Sequence, residues 1–524
     1  MSQYTPSRQI KDLAFGQQAI TIEDILAVAN GKMNVELSQS PGFVERIDSG
    51  INFLNKLLTK DGVIYGVTTG YGDSCSVKIP LDIVSDLPIN LTRFHGCGLG
   101  DYLSEAQARA VMAVRLNSLC QGYSGVSWEL LDQLVQFINS GIIPRIPQEG
   151  SVGASGDLTP LSYVAGALIG EREVYYQGAV LPAKNAMAAE GITPLTLKPK
   201  EGLALMNGTA VMTALACEAF SRAQYLSRLC ARITAISTVA VNGNPYHFDE
   251  ILFSVKPHAG QMNAAKWIRL DLNEHEHPRN ADRLQDRYSI RCAPHIIGVL
   301  EDTLPWLRSN IENELNSAND NPIIDGMGEH VLHGGHFYGG HIALAMDTLK
   351  NCVANLADLI DRQIALLVDE KFNHGLPANL SGAAPEQRYI HHGFKAVQIG
   401  ASAWTAEALK LTMPASVFSR STECHNQDKV SMGTIAARDC LRVLQLTEQV
   451  VAAGLLASLQ GLRLREAQRE LQLGTLGTSL QAMIHDLCSK IPFLEQDRPM
   501  ESELRETVQL IQQQYWNLGY DERT

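Results

Sequence analysis

Glycine and serine are concentrated between residues 150 and 156, in the stretch Gly-Ser-Val-Gly-Ala-Ser-Gly. A helical pattern of apolar residues begins at Leu161, so the stretch is typical of a loop that leads into a helix N-terminus, where an anion can bind. The sequence has neither the Walker spacing with its Lys-Ser/Thr nor a GxGxxG after a clear strand. A nucleotide-binding loop is therefore disfavoured, and a simple anion-binding loop remains one interpretation.

The triplet Ala154-Ser155-Gly156 allows a second, chemical interpretation. A glycine nitrogen, unhindered by a Cβ, can bend back onto the carbonyl carbon of Ala154. Ring closure and dehydration of Ser155 would leave an exocyclic methylidene, which is a strong electrophile. Because no ordinary side chain is electrophilic, an enzyme that needs an electron sink must bind a cofactor or make one. The triplet is thus a candidate for a cofactor made from the chain itself.

Tyr65 precedes a segment rich in glycine and threonine, residues 66–72. Alone, this pattern is typical of a packed ring before a loop. A tyrosine that acts as a base would need its pKa, ordinarily about 10, to be lowered, or a working pH above neutral. A glycine-rich loop is also suited to a lid that excludes water.

Two further groups of polar residues have spacings that suit a binding site. Tyr288 and Arg291 are three residues apart, which places them on one face if the segment is helical. Arginine offers the planar, two-pronged donor that binds a carboxylate. Asn207, which precedes a glycine and a helical pattern, is typical of a cap or turn. His333 and His336 lack the HExxH spacing of a zinc site, so a metal centre is disfavoured.

Long helical patterns must position these residues. Apolar faces of about thirty residues extend over 207–240 and 341–370, and similar patterns cover 387–412 and 436–466. Such helices are typical of a bundle, often one shared between subunits. We predict a mainly α chain with a smaller mixed N-terminal domain (1–200), a central long-helix bundle (201–490) and a peripheral helical tail (491–524).

Composition excludes several functional classes. The 524-residue chain has a net charge of −13, which argues against nucleic acid or an anionic membrane as the main partner. The most apolar helical patterns carry charges, so no bilayer span is expected. The ten cysteines are scattered without a CxxC pair, as in reduced cytosolic proteins. The first residues lack a leader pattern, and we expect a cytoplasmic protein.

Taken together, these motifs resemble those of the ammonia-lyase and aminomutase family, which includes histidine, phenylalanine and tyrosine ammonia-lyases. The resemblance covers nearly the whole chain. It implies the mainly α ammonia-lyase/fumarase-like fold and a 4-methylideneimidazol-5-one (MIO) group, formed autocatalytically from Ala154-Ser155-Gly156 without an external cofactor. It also implies a homotetramer whose active sites are shared between subunits, and a small aromatic amino acid as substrate.

The resemblance implies a role for each candidate residue. Tyr65 would remove the β-proton, and the electrophile would act on either the amine or the aromatic ring. Arg291 would bind the carboxylate, and Phe337 would pack beside the MIO, next to a histidine, His336, where the family commonly has asparagine. The remaining residues would bind or orient the substrate: Asn207, Gln285, Tyr288, Glu423 and Gln427.

The choice of substrate depends on Phe94-His95 and Gln427. The pair matches neither the Phe-Leu of phenylalanine enzymes nor the Ser-His of histidine enzymes, but His95 can bond a phenol. Gln427 stands where histidine ammonia-lyases have a glutamate. We therefore expect elimination of ammonia from tyrosine, and from phenylalanine to a lesser degree, giving p-coumarate or cinnamate. Histidine ammonia-lyase activity giving urocanate, an aminomutase and a non-catalytic helical scaffold are the alternatives.

Overall fold

The computed structural model describes residues 11–60, 63–80, 82–273 and 284–518. The first residues, in which no leader pattern was found above, lie outside these ranges. The described strands are short and form small sheets: β1 Lys11–Phe15, β2 Met33–Leu37, β3 Leu99–Tyr102, β4 Ile143–Pro144, β5 Pro147–Glu149, β6 Glu173–Tyr176, β7 Ala179–Pro182, β8 Ile323–Asp325 and β9 His330–Leu332.

Helices make up most of the structure, as the sequence predicts. The first nine are α1 Ile22–Ala29, α2 Pro41–Thr59, α3 Leu87–Phe94, α4 Glu105–Cys120, α5 Trp128–Ser140, α6 Leu158–Leu168, α7 Ala183–Ala189, α8 Glu201–Met206 and α9 Ala210–Ala240. The others are α10 Glu250–Ser254, α11 Ala259–Leu272, α12 Tyr288–Arg291, α13 Ala293–Leu315, α14 Gly340–Val368, α15 Lys395–Lys410, α16 Gly433–Ala467, α17 Thr478–Lys490 and α18 Glu501–Gln512.

The predicted long helices are confirmed, with small shifts at their ends except for α15, which begins at Lys395 rather than at 387. The four patterns correspond to α9, α14, α15 and α16, and α9 alone has 31 residues, or roughly 46 Å. Most residues of α9 are buried and none is exposed, so the helix is covered on all sides. A helix that is covered on all sides belongs to the interior of a large protein.

Helix α16 departs from the expectation that no segment could cross a membrane. In the part of the chain that the structure describes, this one helix is long and apolar enough to cross a membrane, judged by length and composition alone. However, 78% of its most apolar window is buried inside the protein. Burial of that degree is typical of a core helix, which needs as few charges as a membrane span does.

The chain divides into two compact units. The first contains Met1–Glu218, Arg308–Asp347 and Pro414–Arg438. Within it, β1 pairs with β2 in parallel, β3 with β5 and β8 with β9 antiparallel, and β4, β6 and β7 form a three-stranded sheet. The division differs from the predicted boundaries because two later segments return to the first unit.

The second unit contains Ala219–Leu307, Thr348–Met413 and Asp439–Thr524. The parts of α9, α14 and α16 that it includes pack side by side, as in a bundle. The hydroxyls of Ser237 and Ser458 lie 2.8 Å apart, and Gln363 donates a hydrogen bond to Thr234 Oγ1 at 2.9 Å. Gly454 lies so close to Ile360 that a Cβ at this position would overlap its side chain.

A buried ion pair supports two segments of the first unit. Lys200 Nζ lies 2.6 Å from Asp320 Oδ2, and both side chains are almost completely buried. Nearby, the buried Arg115 donates hydrogen bonds to the carbonyls of Ala204 and Asn319. Burial lowers the pKa of Lys200 and Asp320 opposes that shift, so the ammonium group depends on its partner for its charge.

We predict that Asp320→Asn lowers the free energy of unfolding by about 3–5 kcal/mol, because it leaves a buried ammonium without its counter-ion. The measurement is the midpoint of the urea unfolding transition. The matched control is Glu329→Gln, which breaks the exposed pair of Lys56 and Glu329, also at 2.6 Å, and should change stability by no more than about 1 kcal/mol. Equal effects of the two substitutions would contradict the structural role given to the buried pair.

Candidate functional site

A cavity of about 780 Å³ in the first unit brings most of the predicted site residues together. Its volume is within the range of small-molecule sites. The predicted residues that line it are Tyr65, Phe94, His95, Ala154, Ser155, Asn207, Phe337, Glu423 and Gln427. Leu91, Leu158 and Leu203 add an apolar wall, which would suit an aromatic ring.

The loop that carries Ala154-Ser155-Gly156 can be built only from glycine at two places. Gly153 and Gly156 have φ angles of 70° and 72°, a conformation that L side chains rarely adopt. A Cβ on Gly156 would also overlap the carbonyl of Gly208, and one on Gly153 would overlap Ser431. The glycines of this loop therefore serve close backbone packing, and the loop holds Ser155 at the cavity wall.

Asp157 fixes the end of this loop. Its buried carboxylate accepts hydrogen bonds from the backbone N–H groups of Val211 and Met212 at 3.0 Å. The hydroxyls of Ser151 and Thr434 also donate to it. Burial raises the pKa of Asp157 to about 6, which still leaves the carboxyl mostly ionised at neutral pH. The loop is thereby tied to the beginnings of α9 and α16.

Tyr65 lies in a tight turn. Thr68 Oγ1 accepts from the N–H of Ile64 at 2.8 Å, and Thr69 Oγ1 accepts from the N–H of Gly66 at 3.1 Å. The phenol oxygen of Tyr65 accepts a hydrogen bond from the N–H of Gly72 at 2.8 Å. The threonine hydroxyls thus hold the turn closed, and the turn places the phenol at the cavity.

The pKa of Tyr65 is raised, not lowered. Burial of the ring is the main cause, the hydrogen bond from Gly72 opposes it, and the charge of Glu423 adds to it. A tyrosine base needs either a lowered pKa or a working pH above neutral. The first of these conditions is not met within this chain. The phenolate, which is the basic form, becomes more abundant as the pH rises.

Asn207 lines the cavity and has a buried side-chain oxygen. Its side-chain N–H donates to the carbonyl of Asn321 at 2.9 Å, and the residue is 2% exposed. Its Oδ1 atom is buried and has no hydrogen-bond partner among the residues that the structure describes. An unpaired buried acceptor is costly, so this atom is suited to a donor supplied by a ligand or by a modified loop.

Phe94 and His95 lie at the end of α3, with ring centroids 4.4 Å apart. Nδ1 of His95 is 3.0 Å from the carbonyl oxygen of Leu91. A carbonyl only accepts, so this nitrogen carries the proton, and Nε2 has the lone pair. Burial lowers the pKa of His95, which favours the neutral ring. His95 is therefore an acceptor that can receive a hydrogen bond from a hydroxyl or a ring N–H.

Gln427 faces the triplet. Its Nε2 is 3.3 Å from Ser155 Oγ, and its Oε1 accepts a hydrogen bond from Thr422 Oγ1 at 2.9 Å. The hydroxyl of Thr422 therefore orients the amide so that it presents its N–H side to Ser155. Glu423, in contrast, is bound to the Tyr65 loop: both of its oxygens accept from the N–H of Asp73, at 2.9 and 3.2 Å.

Gln285, Tyr288 and Arg291 belong to the second unit. The predicted helical spacing is confirmed there, since α12 includes Tyr288 and Arg291 and the guanidinium lies 4.6 Å from the centre of the tyrosine ring. Arg291 Nε donates to the carbonyl of Asp286 at 3.0 Å. The side chains of Gln285 and Tyr288 are exposed. All residues that line the cavity above belong to the first unit.

Sequence reasoning gave no role in the site to several residues that build the cavity. Tyr71 and His333 line it, and the His333 ring is edge-on to Tyr65 with centroids 6.4 Å apart. Asp157 follows the triplet directly, so its place in the chain was a usable signal. Thr422 gave no such signal, because its contact with Gln427 depends on a tight loop. His336 lies outside this cavity and lines a smaller pocket near Glu314.

Comparison with known proteins agrees with the motifs. The family model for aromatic amino acid lyases matches residues 20–488. The histidine ammonia-lyase of Alkaliphilus oremlandii is 36% identical over 504 residues, which cover 96% of this chain and 97% of that protein.

Two solved structures are similar over nearly their whole length. Tyrosine aminomutase from Streptomyces globisporus has a TM-score of 0.87 at 32% identity, and the match covers 96% of this chain and 97% of that chain. Phenylalanine aminomutase from Pantoea agglomerans has a TM-score of 0.89 at 30% identity, and the match covers 98% of this chain and 100% of that chain. The predicted fold class is thereby confirmed, and the chain belongs to the aromatic amino acid lyase family as an ammonia-lyase-type enzyme.

Proposed function

We propose that this protein eliminates ammonia from L-tyrosine to give p-coumarate, with L-phenylalanine as a poorer substrate. The observation that carries the proposal is the protonation of His95. Its ring is neutral, Nδ1–H donates to the Leu91 carbonyl, and Nε2 can accept a hydrogen bond. His95 and Ser155 line the same cavity. A buried phenol needs such a partner. Phenylalanine offers no donor to it.

The residues around the triplet fit an MIO group. Gly156 lacks the Cβ that would obstruct both its packing and an approach of its nitrogen to Ala154. Asn207 Oδ1 is a buried acceptor without a partner, and Gln427 presents an N–H at Ser155. Formed from Ala154-Ser155-Gly156, the group would supply the electrophile that withdraws electrons from the substrate. We propose that no external cofactor is needed.

The chain's own residues have distinct tasks in this reaction. Tyr65 takes the β-proton on its phenol oxygen, which the N–H of Gly72 holds in place. Phe337 and the leucines of the cavity pack against the substrate ring. Because burial raises the pKa of Tyr65, the rate should increase as the pH rises into the alkaline range.

Histidine is the competing substrate, because histidine ammonia-lyases dominate the curated relatives. Its ring N–H could also donate to His95. Against histidine stands Gln427, a neutral amide whose oxygen is already bound by Thr422, so the cavity offers no anion at this position for an imidazolium. Aminomutase activity, as in the two solved relatives, uses the same residues and differs in that ammonia is retained.

We also propose that the active site is completed by another copy of the chain, in a cytoplasmic homotetramer. Tyr65 and Ser155 line one cavity in the first unit, whereas the carboxylate-binding Arg291, with Gln285 and Tyr288, belongs to the second. The exposed Tyr288 side chain, 71% accessible, is typical of a residue that another subunit covers. The ten free cysteines are consistent with a reducing compartment.

Ser155→Ala should fold normally and lose almost all ammonia-lyase activity, because the hydroxyl that must leave as water is absent. The measurement is arylacrylate absorbance with tyrosine, phenylalanine and histidine in parallel. Ser162→Ala is the control and should remain active, since Ser162 is a buried serine on α6 whose hydroxyl donates to the carbonyl of Thr159 in the same helix. Wild-type turnover by Ser155→Ala would exclude a cofactor made from the triplet.

A complementation experiment tests the shared site. Ser155→Ala and Arg291→Ala subunits should each be nearly inactive alone, but unfolding them together and refolding the mixture should restore activity, because hybrid tetramers contain intact sites. Ser155→Ala mixed with Tyr65→Phe is the control. Both of these residues line the cavity of one chain, so no site is repaired. Absence of recovery in the first mixture would contradict the shared site.

His95→Phe should lower the ratio of kcat/KM for tyrosine to that for phenylalanine by about tenfold, which corresponds to the roughly 1.4 kcal/mol of one modest hydrogen bond. Phe94→Leu removes apolar contact without changing a hydrogen bond, so it should affect both substrates alike. If the ratio does not change in His95→Phe, or if the wild-type enzyme prefers histidine, the substrate assignment is wrong.

A further inference from the structure

Glu423 makes a contact that substrate binding does not explain. Its carboxylate accepts from the N–H of Asp73, while the N–H of the preceding residue, Gly72, donates to the phenol oxygen of Tyr65. Two consecutive amides of one turn therefore hold the carboxylate and the phenol side by side. We refer to residues 65–78, within which Thr69 pairs with Lys78, as the lid loop.

The segment that carries Glu423 is held in an uncommon conformation. Glu423, Cys424 and His425 have φ angles of 49°, 51° and 64°, and three consecutive L residues rarely adopt this left-handed region. The ends of the segment are closed by backbone hydrogen bonds between Thr422 and Gln427, at 2.9 and 3.2 Å. Strain of this kind persists where a side chain must be held in a particular place.

The lid loop is shaped to receive this carboxylate. Gly72 has a φ angle of 56°, and a Cβ at this position would overlap the carboxylate oxygens of Glu423. Only glycine therefore allows the close approach. Glu423 lines the cavity and is exposed, so the contact can break without leaving an unpaired charge buried.

We propose that Glu423 is a latch that holds the lid loop closed over the cavity and thereby positions the phenol of Tyr65. The strained segment connects this latch to the triplet, because Gln427, four residues on, contacts Ser155. Glu423 is a positioning residue in this account. The kinetic part of the proposal rests on the role proposed above for Tyr65 as the base, but the latch itself does not.

Hydrogen exchange of the full-length protein tests the latch without reference to any substrate. Glu423→Gln, which keeps the shape but removes the charge, and Gly72→Ala, which displaces the carboxylate, should each speed exchange in peptides of the lid loop by about tenfold. The matched control is Glu36→Gln, an exposed carboxylate on β2, which should leave lid exchange unchanged.

The double variant should exchange no faster than the faster single variant, because both substitutions weaken the same contact. Unchanged lid exchange in Glu423→Gln, or additive effects in the double variant, would overturn the latch. These results stand whether or not tyrosine proves to be the substrate.

The pH dependence of kcat/KM tests the link to Tyr65. The titratable groups around its ring are Tyr71, Cys75, His333 and Glu423. Glu423→Gln removes one negative charge, so the pH at which activity rises should move downward, which a purely structural role would not cause. An unchanged midpoint beside faster lid exchange would overturn the positioning of Tyr65 by the latch.

Discussion

The close approach of Gly156 to the carbonyl of Gly208 is the constraint on which the site depends. It leaves no room for a side chain on Gly156, and it places the N–H of Asp157 in a hydrogen bond with the same carbonyl at 2.8 Å. The buried Asp157 carboxylate then ties the loop to the backbone of α9 and the hydroxyl of Thr434. A loop held so tightly at one end has few conformations left, which favours a reaction between its own backbone atoms.

The rest of the cavity is built outward from this loop. Gln427 contacts Ser155, and the strained segment before it carries Glu423 to the lid loop and so to Tyr65. Asn207 is held on the other side by the carbonyl of Asn321, in a region supported by the buried pair of Lys200 and Asp320. Polar contacts rather than apolar packing thus determine where the chemical groups lie.

Much of this arrangement could be predicted from the sequence, because the signals were local. The long helices appear as apolar periodicity, and the capping box that begins α1 is visible as Thr21 followed three residues later by Asp24. The candidate site residues could be named because each lies in a distinctive motif.

What could not be predicted depends on contacts between distant segments. The turn at Tyr65 is closed by hydrogen bonds to the side chains of Thr68 and Thr69, which composition alone does not reveal. The contact of Glu423 with Asp73 joins residues 350 positions apart, and the pKa of Tyr65 follows from burial, which a motif does not reveal. The division of the chain into units also depends on segments that return to the first unit late in the sequence.

The central claim is that the backbone of Ala154-Ser155-Gly156 cyclises, and intact-mass spectrometry of the purified wild-type protein tests it most directly. The account predicts a chain lighter than its sequence by two water molecules, with the whole loss in the peptide that contains Ser155. A chain of full sequence mass in an enzyme that still releases ammonia would contradict it.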